Sequence, residues 1–515
     1  MPIPRSAPTF LLLLLLLVTV SVVLNVPAAL GAPATTPLSA PHQIATHSLS
    51  ENVIVRPESE RHLDTLIMGL NAPDNNYFLL PDLRQHEEAL GPVVELILKN
   101  LFMLDFEFSH GRIMQALPGN TELYVAIPST DENSSVSVRA RTWFKEYLVK
   151  HAGWPQDRIA SRVFFFNSPA PILWARDVTK ILGFDRQGRA ILGTSSLQSS
   201  EQLRALEALR DTFPKKFTIR QYAPNVPDIS PNVSVEGGDL EIVVAPSGKV
   251  ELLVGRHRVL RYLYSAGMAP DGSNQGSEYA LPEKEIELTR KAYSDSFFNL
   301  PVTFVTEELL KDPSKGSTEL FHLDMIVTVL PAADNKPPRA FIPTYLYNPI
   351  DSLQGSPIDP AMAAAVQREY DYVAIQFKEK GYSVYRLPYS DHPVRSPVNV
   401  GKYIDRTTGK HTVLMSKYPY HLPSEDTHTP RLEFLRIYED LDEAAKAFKS
   451  THSKDDVAKL LKVIEGTWAR LDAIANQPNP IFEGNRSLLQ SLGYDVIAVP
   501  DYTYGAGGIH CKILQ

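Results

Sequence analysis

The sequence predicts an α/β chain in which five similar units close into a pseudo-symmetric ring and aim at one central site. Three observations predict it. One order of elements recurs along the chain: amphipathic helix, short β-branched strand, loop, then polar cluster. Two passages resemble each other closely, Gly381-Tyr382-Ser383-Val384-Tyr385-Arg386-Leu387-Pro388 and Gly493-Tyr494-Asp495-Val496-Ile497-Ala498-Val499-Pro500. Each strand is followed, roughly 10 to 20 residues on, by the most chemically loaded cluster of its unit, which leaves room for a loop and a return strand. Helix–strand alternation defines an α/β fold, and closing the ring removes exposed strand edges.

The elements follow in order. Arg5 precedes an unbroken apolar stretch over residues 10–24, Pro27 ends it, and Ala32-Pro33-Ala34 satisfies the small-x-small cleavage rule, so residues 1–34 read as a signal peptide. A run of about 15 residues is short for a bilayer span. The mature chain is therefore expected to be secreted or periplasmic, with no membrane contact after cleavage. In a eukaryote, Asn133-Ser134-Ser135, Asn232-Val233-Ser234 and Asn485-Arg486-Ser487 would accept glycans. Residues 35–118 are expected to form a linker, rich in Pro, Ala, Ser and Thr at first, that leads into a helix at 92–105.

The ring is expected over residues 119–515. A helix at 143–151 leads to Arg162-Val163-Phe164-Phe165-Phe166 and then Trp174-Ala175-Arg176-Asp177. One at 201–212 leads to Phe217-Thr218-Ile219-Arg220 and Glu236-Gly237-Gly238-Asp239. The helix at 286–298 leads to Val302-Thr303-Phe304-Val305 and His322-Leu323-Asp324. Helices at 362–380 and 486–492 lead to the two matching passages and then to Asn399 and Cys511. Between the fourth and fifth units, 432–449 and 455–475 both have helical periodicity. They predict a helical hairpin insertion over 430–478, with Pro478-Asn479-Pro480 at its exit.

Composition narrows the function. Of 515 residues, 43% are hydrophobic, enough to build a large core, which excludes a wholly disordered chain. Lys plus Arg total 51 against 59 Asp plus Glu, a formal charge of -8, so bulk charge does not favour nucleic acid and suits a cationic ligand better. A single cysteine excludes an intrachain disulfide framework and a Cys-based zinc cluster. Cys511 follows Tyr504-Gly505-Ala506-Gly507-Gly508-Ile509-His510, where glycines permit close approach to a ligand. Its readings are an intermolecular bridge, an inert buried thiol or a nucleophile.

The ordered set Trp-x-Arg-Asp, Glu-Gly-Gly-Asp, His-Leu-Asp and Gly507-Gly508-Ile509-His510-Cys511 resembles the guanidino-group-modifying, or pentein, superfamily. Its members are five-bladed α/β propellers that include agmatine, arginine and peptidylarginine deiminases. The terminal motif most resembles agmatine deiminases and bacterial peptidylarginine deiminases; the Glu-Gly-Gly-Asp and Phe321-His322-Leu323-Asp324 motifs lean towards arginine deiminases. The resemblance implies a Cys511 nucleophile and a substrate-binding Asn399, although Pro397-Val398-Asn399-Val400 departs from the relatives' aromatic-Asn pattern. It also implies that Glu236 orients the catalytic histidine.

The chemistry needs these residue types. A guanidinium carbon is a reluctant electrophile whose N–H fork matches carboxylates, here Asp177 and Asp324, bidentately. His322, placed with Asp324 in an apolar run at 320–330, would share a strand face with it at i and i+2, donate a proton to departing ammonia and then activate water. Cys511 would attack as thiolate and form a thiouronium. Arg176, like Arg395, could hold a substrate carboxylate.

The expected activity is therefore hydrolysis of peptidyl-arginine to citrulline and ammonia. Free arginine or agmatine, and amidino transfer to an amine, remain open. A reading of another class is an inactive propeller that binds cationic peptides. No loop of the EF-hand type is present, and neither metal nor cofactor is expected.

Overall fold

Side-chain caps and left-handed glycines set the ends of the helices. In the computed structural model, residues 47–48, 53–71, 92–169, 179–194, 200–221, 233, 235, 237–265, 280–316, 320, 322–332, 336–347, 359–390, 395–418, 430–451, 453–502, 509–512 and 514 are described. The Ser134 hydroxyl accepts from Ser137 N at 3.2 Å to start helix Ser135–Lys150. Asp359 and Asn479 cap helices Pro360–Glu379 and Pro480–Ser491, each with proline in the first turn, where its missing N–H is harmless. Gly381 and Gly493, at matching places of the repeat, have φ of 90° and 95°. Each lets its helix close in the same way. Gly381 N donates to Lys378 O and Tyr382 N to Phe377 O, as Gly493 N does to Gln490 O and Tyr494 N to Leu489 O.

Among the described residues the strands form five small sheets. Strands β1 (His47–Ser48) and β2 (Ile54–Val55) pair with each other, and Ile54 of β2 pairs antiparallel with Phe184. The first sheet is all parallel: β3 (Thr65–Gly69), β4 (Glu122–Pro128) and β5 (Val163–Ser168). The next four triplets are β6 (Lys180–Phe184), β7 (Ala190–Thr194), β8 (Phe217–Gln221); β9 (Leu240–Val244), β10 (Val250–Val254), β11 (Val302–Phe304); β12 (Thr328–Leu330), β13 (Arg339–Tyr345), β14 (Ser383–Tyr389); and β15 (Gly401–Ile404), β16 (His411–Lys417), β17 (Asp495–Pro500). In each of these four the first strand is antiparallel to the second and the second parallel to the third. The parallel pair requires a crossover, which helices Ser200–Thr212, Glu283–Ser296, Pro360–Glu379 and Pro480–Ser491 supply.

The segment read as a linker is corrected. Residues 53–69 contribute β2 and β3 and, between them, a 3-10 turn at Glu58–Glu60 whose three residues are buried. Apolar Ile54-Val55 and Leu66-Ile67-Met68 explain the strands; nothing local foretells burial of the charged turn. The leading helix is Pro92–Phe106. The hairpin helices, Pro430–Thr451 and Lys454–Ala475, bury Phe448, Leu460, Ile464 and Leu471 against Leu98, Phe102, Trp143 and Phe144 in one shared core. Arg112 ties that hairpin to the end of the fifth unit: it bonds Asp472 at 2.5 Å and Glu107, and lies 5.8 Å from the Tyr502 ring. Tyr502 donates to Leu471 O at 2.8 Å.

The fold also removes one expected glycan acceptor. Asn485 is buried and donates to Pro388 O at 2.8 Å, whereas Asn133 is exposed; Asn232 lies outside the described residues.

Burial pushes the Glu60 carboxyl up to about 7. An acid whose pKa is higher folded than unfolded binds more protons in the native state, so its contribution is complete below the unfolded pKa and is lost as pH rises through the folded one. Stability should therefore decline between about pH 4.5 and about pH 7 through this group. Glu60→Gln should flatten that part of the profile and raise the urea midpoint at pH 8. An unchanged pH slope in the variant would count against an ionising buried Glu60.

Candidate active site

Four polar segments lie immediately before the first strand of their unit, and a fifth follows the last strand. Gly238-Asp239 precedes β9, His322 to Asp324 precedes β12, Asn399 precedes β15, and the Glu58 turn precedes β3. After β17 comes a short helix, Ile509–Lys512, that carries His510 and Cys511. The Cys511 side chain lies outside the described residues, as do Arg176, Asp177 and Glu236.

His510 fastens this helix to three segments distant in sequence. Its Nδ1 lies 2.9 Å from Asp324 Oδ2 and its Nε2 3.0 Å from Glu58 Oε2, and its backbone N–H donates to Asn399 Oδ1 at 2.9 Å. All four residues are buried. The two ring nitrogens of His510 thus reach both carboxylates at once. Antiparallel bonds between Leu514 and Ile67 of β3 secure the chain beyond the helix.

Beneath this cluster lie two buried ion pairs. Lys180 of β6 pairs with Glu58 and donates to Leu240 O at 2.6 Å. Lys402 of β15 pairs with Glu241 of β9 and donates to Thr328 Oγ1 of β12 at 3.0 Å. These contacts stitch the first strands of four units and the Glu58 turn to one another. Charges so deep are tolerated only when paired and hydrogen-bonded, as both lysines are.

The expected strand at 320–330 is replaced by a 3-10 turn, Leu323–Met325, followed by a short strand, Thr328–Leu330. Asp239 causes the difference. Its Oδ1 accepts from Leu323 N at 3.1 Å, while Asp324 N donates to Gly238 O at 3.0 Å, so the backbone bonds a neighbouring loop instead of a ladder. His322 and Asp324 therefore do not share a strand face. Asp324 reaches His510, and His322 lies against Gly238, where an added Cβ would sit 2.9 Å from its Nδ1. Burial works against the Asp239 charge, but Arg258 beside it, with His257 and His322, holds the carboxyl well below the usual range. Arg258 Nε donates to Asp239 Oδ2 at 2.6 Å.

Of the predicted residues, the structure brings Asp324 and Asn399 to the Cys511 helix and places His322 against Gly238. Arg395, a candidate to hold a substrate carboxylate, is buried, its guanidinium 5.6 Å from the Tyr418 ring. Sequence reasoning missed Glu58, His510, Lys180, Glu241 and Lys402. The last three had a legible signal, a lone charge near the start of an otherwise apolar strand soon after a site motif. Among the described residues, no group of three or more His, Cys, Asp or Glu is arranged to hold a metal ion. No model of a known protein family matches the chain, and no curated protein matches it.

Proposed function

We propose that this chain is an exported, cysteine-dependent hydrolase of guanidino groups, built as a five-bladed α/β propeller, and that its substrate is an arginine side chain in a peptide. One observation carries the reading. The helix bearing the lone cysteine is held, through His510, by Asp324, Glu58 and Asn399, partners 186, 452 and 111 positions away. A buried acid and histidine cluster assembled at such distances around a thiol-bearing turn suits a cationic substrate and a nucleophile. Four repeated sheet triplets with an antiparallel and then a parallel pair support the propeller.

In this mechanism the carboxylates of Asp177 and Asp324 hold the guanidinium, and Cys511 thiolate attacks its central carbon. A carbon–sulfur bond forms; the carbon–nitrogen bond to an amino group breaks as protonated His322 gives that nitrogen a proton and ammonia departs. Water, deprotonated by His322, then attacks the thiouronium carbon, the thiolate leaves, and a ureido group remains. The bound cation favours the thiolate and needs no metal for charge balance.

The test is an assay for ammonia and ureido product from benzoyl-arginine ethyl ester, free arginine and agmatine. Turnover of the ester above the other two is expected; binding without turnover of any of them would favour a cationic-peptide-binding module. A second expected result concerns Gly238. In Gly238→Ala the new methyl displaces the His322 ring, so kcat should fall about 10- to 100-fold with the thermal midpoint little changed. Unchanged kcat would remove His322 from proton transfer.

A further inference from the structure

A cavity of about 380 Å³ opens beside the residues that flank the Glu58 turn, lined by residues of β2, β6 and the loop after β15. Its lining holds four arginines, Arg56, Arg61, Arg186 and Arg406, and His62, against two aspartates, Asp64 and Asp185. Both aspartates are already matched. Asp64 takes the Arg406 Nε at 2.6 Å, and Asp185 takes the Arg189 Nε at 2.7 Å and backbone N–H groups of Gln187 and Arg189. Among the described residues Arg56 and Arg186 have no ion-pair partner, and the Arg56 Nε is buried without a hydrogen-bond partner. Arg61 is fixed by donating to Arg56 O at 2.7 Å and Ile181 O at 3.2 Å, with its guanidinium 5.7 Å from the Phe184 ring. A concave, half-apolar site with excess guanidinium is built for an anion that offers several oxygens in a fork geometry.

We propose that this cavity binds a small polyvalent oxyanion, a phosphoryl or polycarboxylate compound, and that its occupancy raises turnover. Arg56 and Arg61 flank the turn that presents Glu58 to His510, so an anion held by Arg56 steadies that turn through its flanking residue. The binding stands by itself; the effect on turnover rests on the hydrolase reading.

Calorimetric titration of the full chain at low salt, with sodium pyrophosphate in one arm and citrate in the other, tests the site. Saturable one-to-one binding is expected in at least one arm, and the tighter arm identifies the oxyanion. Affinity should fall about tenfold in Arg56→Gln and in Arg186→Gln, the latter an exposed position where folding is not at stake. No saturable heat, or an affinity in both variants equal to that of the unaltered chain, would overturn the site. With the anion saturating, turnover should rise roughly fivefold or more. Unchanged turnover would overturn the regulatory role. Absent turnover with intact binding would instead sink the hydrolase reading and leave the site standing.

Discussion

Cys511→Ala is expected to lower kcat on a guanidino substrate by at least about a thousandfold while the protein stays folded. No other thiol exists in the chain to substitute for it. The carboxylates proposed to bind the cation remain, so KM should change far less than kcat, and the variant should still be protected by a competitive guanidinium ligand. The measurement is steady-state ammonia release alongside a thermal melt. A variant that retains a tenth of the wild-type rate would remove the nucleophile and return Cys511 to an inert thiol.

The second large effect is on stability. Glu58 and Lys180 are each about 1% exposed and pair with each other. Removing one partner leaves the other charge buried, which typically destabilises by roughly 3 to 5 kcal/mol. Glu58→Gln should therefore lower the unfolding free energy by about that amount, and Lys180→Met likewise. The double variant Glu58→Gln with Lys180→Met should recover most of the loss, because no uncompensated ion is left. Urea unfolding of the three proteins reads this directly. Additive losses in the double variant would mean that the two groups do not share their burial energy.

What the sequence revealed follows from the range of the forces involved. Helices and third strands were legible because each is set by local pattern. Gly381 and Gly493 end their helices with the same hydrogen bonds and hand the chain to Ser383–Tyr389 and Asp495–Pro500, where the apolar and β-branched residues predict strand. The hairpin was legible because Leu460, Ile464 and Leu471 recur at helical spacing. The apolar run at 320–330 misled, since burial alone does not separate a strand from a buried turn; the Asp239 carboxylate decided for the turn, and it comes from another unit. Glu58 was illegible for the same reason at greater range. Nothing in Arg56-Pro57-Glu58-Ser59-Glu60-Arg61 distinguishes a solvated charge run from a turn threaded beneath a histidine 452 positions away. His510 was in view, but as a neighbour of the cysteine; only the folded chain gives its ring two carboxylates.

Acid-quenched mass spectrometry of the protein mixed with a guanidino substrate puts the proposed covalent step to the most direct test. The account predicts a transient adduct with the mass of the substrate less ammonia, confined to the peptide that contains Cys511 and decaying as ureido product appears. Ammonia released at full rate with no such adduct at any quench time, or an adduct on a different residue, would contradict it.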